Sequence, residues 1–226
     1  MDDELLGIMQ MSDSLFPAGT FAMSNGIEAM HRAGDISTAA DLEALLRSYL
    51  AHQTGPSDCA AAALAHRYAG EGNVGRIRDL DALYLASKSV RETREASVRS
   101  GTQMLKCITE ILHDDAVAAC AEEIRNGGMS GAYPVSFGVC CRAMGISARG
   151  TAMAVSYGFV AGCVGAALRL GIIQHMEAQG IIHSLKSDME RAARVGCDSD
   201  TVWQFCPQAE ILQMAHENQD SKMFIT

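Results

Sequence analysis

A chain of 226 residues gives a length prior of about one and a half domains at roughly 150 residues each, and helical chains of this size fold as one unit. Lys plus Arg number 18 against 27 Asp plus Glu, and the formal charge of -9 has the wrong sign for a domain that binds phosphates through excess basic side chains. Nucleic acid is therefore excluded as the main partner. Hydrophobic residues make up 48% but aromatics only 5%, so the apolar content is carried by helix-compatible Ala, Leu, Met and Ile and leans all-α.

The first predicted helix contains Leu5, Leu6, Ile8, Met9 and Met11 and stops at Ser12-Asp13. A loop, Phe16-Pro17-Ala18-Gly19, leads to a second helix over Asn25 to Ala33 with Gly34 just past its end. Thr38-Ala39-Ala40-Asp41 reads as a capping box ahead of Leu42, Leu45, Leu46, Tyr49 and Leu50 on one face. Gly55-Pro56 is expected to end that helix, with Pro56 near the first position of the next, the Ala-rich run Cys59 to Ala69. A long helical region from about Ile77 to Leu112, broken once, precedes Asp114 to Arg125, closed by Gly127-Gly128. The loop Ser130 to Pro134 opens a helix through Met144-Gly145, and Ser147 opens another. One helix is expected over about Ile173 to Val195, stopping at Gly196, and a last one from Pro207 to about Glu217.

Thr151 to Leu168 carries no charge and matches a spanning helix only at the lower length limit. It lacks a basic flank to set an orientation, and a helix buried all round in a bundle gives the same pattern, so no membrane is expected. Gly158, Gly162 and Gly165 within it are expected to allow close helix–helix approach. Without a repeat or a linker the chain reads as one all-α domain, 1–226, a bundle of roughly nine to eleven helices. The opening Met1-Asp2-Asp3-Glu4 is not a secretory signal, which sets a cytoplasmic expectation.

Several chemical motifs fail on context. Gly70-Glu71-Gly72-Asn73-Val74-Gly75 follows a helix where a dinucleotide loop needs a strand, so an inter-helix loop is expected. A phosphate-binding loop with Gly-Lys-Ser/Thr is absent, and His216-Glu217 lacks a second histidine, since position 220 is Asp. Eight scattered cysteines, Cys140-Cys141 included, read as buried thiols without a metal-binding spacing. Arg91, Glu92, Arg94, Glu95 and Arg99 form a salt-bridged helix face that could equally bind protein.

Taken in order, five stretches resemble the urease accessory protein UreF family. They are Leu15 to Glu28, with Pro17, Gly19, Ser24, Gly26 and Glu28 as motif positions; Arg91-Glu92-Thr93-Arg94-Glu95-Ala96-Ser97; Tyr133 to Gly138, with Pro134 and Gly138; Ala166 to Leu170, with Arg169 and then Gln179; and the tail His216-Glu217-Asn218-Gln219-Asp220-Ser221-Lys222-Met223-Phe224. The tail departs from the family pattern with Lys222 for Arg and Met223 for Leu, and His175 stands where the family tends to carry Gln.

The resemblance implies a cytoplasmic, all-helical homodimer without catalytic or metal residues of its own. Such a protein binds UreD (also called UreH), recruits the GTPase UreG, and helps the complex build the dinickel centre of urease apoprotein. Nickel and GTP are then handled by the partner complex. Carried over residue by residue, the implied partner-binding positions are His216, Glu217, Gln219, Ser221, Lys222, Met223, Phe224, Arg91, Glu92, Arg94 and Ser97. Residues 216–226 are expected to be a partner-binding tail, mobile in the free protein because its last apolar groups have little chain beyond to bury them. Two other readings stay open: a helical enzyme using His216 and Glu217, and an unrelated helical scaffold.

Overall fold

The computed structural model describes residues 2–13, 15–19, 23–217 and 222–225, with the side chains of Asp2, Ala215 and His216 outside the description. Among these residues there are helices and no strands. The order is α1 Asp2–Ser12, α2 Ile27–Ala33, α3 Ala39–Tyr49, a π-helical segment Leu50–Cys59, α4 Ala60–Gly70, α5 Val74–Ser87, α6 Arg91–Ile111, α7 Asp115–Arg125, α8 Tyr133–Ala143, α9 Ala148–Arg169, α10 His175–Ser184, α11 Lys186–Asp198 and α12 Pro207–His216. The all-α expectation holds.

Helix starts follow the sequence signals. Thr38 and Asp41 exchange the two bonds of a capping box, Asp114 accepts from the Ala116 and Val117 amides, and Ser147 accepts from Gly150. Gly34 closes α2 with φ 85°, which a side chain would resist.

Two expected breaks are wrong. Gly55-Pro56 does not end a helix, because α3, the π-helical segment and α4 run on as one piece. Pro56 lacks an N–H, which removes one donor from the helical ladder of this segment. The His52 carbonyl, one turn back, accepts the Phe205 amide at 2.9 Å, while the Pro56 carbonyl accepts the Trp203 amide at 3.1 Å. The extended strap before α12 thus supplies donors that the wide turn requires. Conversely, the expected single helix over 173–195 is divided at the fully buried Leu185, and α11 continues through Gly196 to Asp198. Gly196 is there for space: a Cβ on it would lie 2.5 Å from the Cys59 Cβ.

Two apolar clusters make the core, and α9 threads both. Ala152, Ala154 and Val155 join α4, α5, α6 and α8, while Val160, Cys163, Val164 and Ala167 join α2, α3, α10, α11 and α12. This burial explains the uncharged run: α9 is the one helix among the described residues long and apolar enough to cross a membrane, yet more than half of it lies inside the protein. Close packing between α4 and α8 depends on small residues, since Ala60 to Ala63 are essentially inaccessible and a Cβ on Gly138 would sit 2.2 Å from the Ala62 carbonyl oxygen. The expectation for Gly158, Gly162 and Gly165 is overturned, because a Cβ on any of them meets nothing within 4 Å. They face open space rather than a neighbouring helix of this chain.

Gly138→Ala should therefore destabilise the fold by about 1–3 kcal/mol through overpacking. Gly180→Ala, in the exposed part of α10 with nothing within 4 Å, should be neutral or stabilising by up to about 1 kcal/mol. Urea unfolding with matched slopes measures both, and equal midpoints would contradict the packing account.

Candidate functional site

Ser24 to Glu28 form a tight entry to α2. Asn25 has φ 53° and Gly26 φ 86°, both left-handed, and a Cβ on Gly26 would come 2.7 Å from the Gln213 Cγ. Ser24 Oγ accepts the Glu28 amide at 3.5 Å, at the start of the helix. This turn points the Glu28 carboxyl inward, where it is 1% exposed. A carboxylate so buried needs donors. Arg32 supplies one at 2.7 Å, and the Met223 and Phe224 backbone amides supply further ones at 3.0 to 3.2 Å.

The C-terminal segment is consequently docked on its own chain. Phe224 is 3% exposed, and the Arg169 guanidinium lies 4.3 Å from its ring centroid. Lys222 reaches Glu92 at 2.7 Å, and Glu217 accepts from Arg91 at 3.1 Å. The expectation of a free tail is corrected for residues 217 and 222–224: the hydrogen-bond partners that hold them come from α2 and α6, and Arg169 of α9 covers the Phe224 ring, all remote in sequence. Met223 and Ile225 remain exposed. Gln219 and Ser221 lie outside the described residues, as does the His216 side chain.

Gln213 was missed by sequence reasoning. Its amide donates to the Asn25 carbonyl at 3.1 Å and to the Tyr49 hydroxyl at 3.3 Å, and its oxygen accepts from Thr93 at 3.4 Å. Tyr49 in turn donates to the Asn25 carbonyl at 3.0 Å. The sequence reading began the second helix at Asn25, whereas Asn25 and Gly26 form a left-handed turn ahead of Ile27, and nothing in the sequence ties that turn to α12.

Beside this socket lies a cavity of about 260 Å³ between the α1–α2 loop, α6, α8 and α9. Gly158, Gly162, Gly165 and Arg169 form one side. Its polar end is built by Asp58, whose Oδ1 accepts from the Tyr84 hydroxyl and the Lys88 ammonium, each at 2.8 Å. Lys88 also donates to Gln204 at 2.6 Å, which ties the cavity wall to the strap before α12. Burial, then the Asp58 charge, pushes the Tyr84 hydroxyl well above its ordinary range.

The other carried-over positions divide. Ser97 and Pro134 line the cavity, and Ser97 also accepts the Tyr133 amide at 3.0 Å. Arg94 donates to the Lys88 and Ser89 carbonyls, fixing the α5–α6 turn. Pro17 and Gly19 are exposed in the loop, Gly138 belongs to the core, and Gln179 is exposed on α10, so none of these joins the socket. Glu217 is absent from the cavity walls. Burial pushes Cys206 up to about 11 and Cys120 and Cys163 up to about 12, which keeps these thiols protonated near neutrality. Groups of three or more His, Cys, Asp or Glu that could hold a metal are absent among the described residues.

The chain is thus an all-helical domain whose terminal segment closes onto its N-terminal motif. The UreF family model matches residues 36–186. The chain is 30% identical to the urease accessory protein UreF of Trichodesmium erythraeum (strain IMS101) over 225 residues, covering 98% of this chain and 96% of the relative. It is 27% identical to the proteins of that name from Yersinia pestis (strain Pestoides F) and Yersinia enterocolitica over 224 residues, covering 98% of this chain and 97% of each. With most of its length matched by the family model, the chain belongs to the UreF family of urease accessory proteins.

Phe224→Ala should free the tail and raise the rate of tryptic cleavage after Lys222 about tenfold, since burying this ring contributes about 1.5–3 kcal/mol. Met223→Ala, at an exposed position, should leave the rate unchanged. Equal cleavage of the two variants would remove Phe224 as the anchor.

Proposed function

We propose that this protein is a non-enzymatic adaptor in urease maturation. It binds a UreD/UreH-type protein through its C-terminal segment and the neighbouring face of α6. It recruits the GTPase UreG, and the assembly serves urease apoprotein in the cytoplasm. The protein holds no cofactor of its own, and nickel and GTP are handled by the partner complex.

The observation that carries this reading is the convergence of the family-like segments 24–28, 91–95 and 222–224 on one socket. Met223, Ile225, Ile211 and Met214 stand exposed on that end of the molecule and offer apolar area to a partner. Lys222 contributes a point charge, without the bidentate fork of the family's Arg. For self-association, the side of α9 at Gly158, Gly162 and Gly165, which opens onto the cavity and is covered by no described helix of this chain, is where a second copy would approach.

Deleting residues 216–226 should abolish binding to the cognate UreD-type partner while the fold survives. Lys222→Ala should weaken binding, and Lys222→Arg should equal or exceed the wild type. Calorimetry decides, and full-strength binding by the tail-deleted protein would place the interface elsewhere.

The isolated protein should scatter light as a dimer at tens of micromolar, a range typical of moderate association. Gly162→Glu should shift it to monomer. A wild-type protein that is only monomeric under those conditions would contradict the dimer.

A further inference from the structure

We infer that Gln213 is a positioning residue: it fixes which face α12 turns toward the body of the protein, and so which face a partner meets. Ala209 and Gln213 lie one turn apart on the same side of the helix, and they are the two buried side chains among those described on α12. Ile211 and Met214 lie on the opposite side and are 64% and 42% exposed. The hydrophobic effect acting alone would roll the helix the other way, with Ile211 and Met214 inward and the Gln213 amide in water.

The turn ahead of α2 opposes that roll. Two successive left-handed residues, Asn25 and Gly26, leave the Asn25 carbonyl accepting from the Gln213 amide at 3.1 Å and from the Tyr49 hydroxyl at 3.0 Å. The same amide donates to the Tyr49 hydroxyl at 3.3 Å, and the Gln213 oxygen accepts from the Thr93 hydroxyl at 3.4 Å. Gly26 makes the room, because a Cβ there would lie 2.7 Å from the Gln213 Cγ. An apolar side chain in this seat would offer no donor to the carbonyl and no acceptor to Thr93, and hydrogen bonds lost in a buried place are not returned by water. Glu210, on the flank of the same face, accepts from Ser89 and Gln204 nearer to solvent and ties down the first turn. The buried polar seat is that of Gln213. On the adaptor reading proposed above, on which this consequence rests, Ile211 and Met214 are available to the UreD-type partner because Gln213 holds the roll of α12.

The test uses the full-length protein and dilute hydrogen peroxide, with sulfoxide at Met214 followed by peptide mass spectrometry against the exposed Met176 as internal standard. Gln213→Glu keeps the size of the side chain and removes both donors. It should slow oxidation of Met214 about fivefold as that sulfur turns inward. Should this variant fail to fold, Gln213→Ala is read in the same way. An unchanged rate would overturn the inference, and so would a faster one, which would mean that the bonds hold α12 on the protein without setting its face. Calorimetry on the same variant should show affinity for the cognate UreD-type partner about tenfold lower. Full affinity, with Met214 protected and with wild-type binding lost on deleting residues 216–226, would overturn the link between the exposed face and the partner. Wild-type binding that survives the deletion would instead fall on the proposed function, and the oxidation rates still decide the role of Gln213.

Discussion

A carboxylate removed from water must be met by donors, and Glu28 imposes that requirement on this end of the molecule. Two of its partners are backbone amides at the far end of the chain. An ammonium or hydroxyl partner could be replaced by water after a small movement, but the Met223 and Phe224 amides arrive only if residues 222–224 lie against α2. The ion pair with Arg32, the seat of Phe224 and the stacking of Arg169 follow from that arrangement. A buried charge here acts as an address for the terminus.

The same logic recurs at larger scale in the middle of the chain. Pro56 removes a donor from the longest helical run, and the strap before α12 returns donors to the His52 and Pro56 carbonyls. Lys88 and Gln204 add a side-chain tie between that strap and Asp58 in the π-helical segment. The strap and α12 are therefore integral to the fold on one side and exposed and apolar on the other, at Trp203, Phe205, Ile211 and Met214.

Local signals in the sequence revealed most of the fold and little of the socket. Thr38, Asp114 and Ser147 mark helix starts through bonds made within three residues, so their effect is readable from a short window. Pro56 and Leu185 misled because the deciding interactions are distant: a proline reads as a break unless an amide from residue 205 is known to be waiting, and an apolar residue inside a helical pattern gives no sign of a turn. Glycine is ambiguous for a related reason. Gly138 and Gly196 exist for contact and Gly158 and Gly162 face open space, yet the residue type is identical. The tail looked free because its last apolar groups have little chain beyond them to bury them, whereas the resemblance to the UreF family had already singled out Glu28, Arg169 and Phe224 without saying that they touch.

The account rests on the terminal amides being held by Glu28, and amide hydrogen exchange at Met223 and Phe224, followed by NMR on the free protein, tests that directly. The bonds predict both amides to exchange well below the random-coil rate at neutral pH, with protection lost in Glu28→Ala while the amides of α9 stay protected. Random-coil exchange at both positions in the wild-type protein would contradict it.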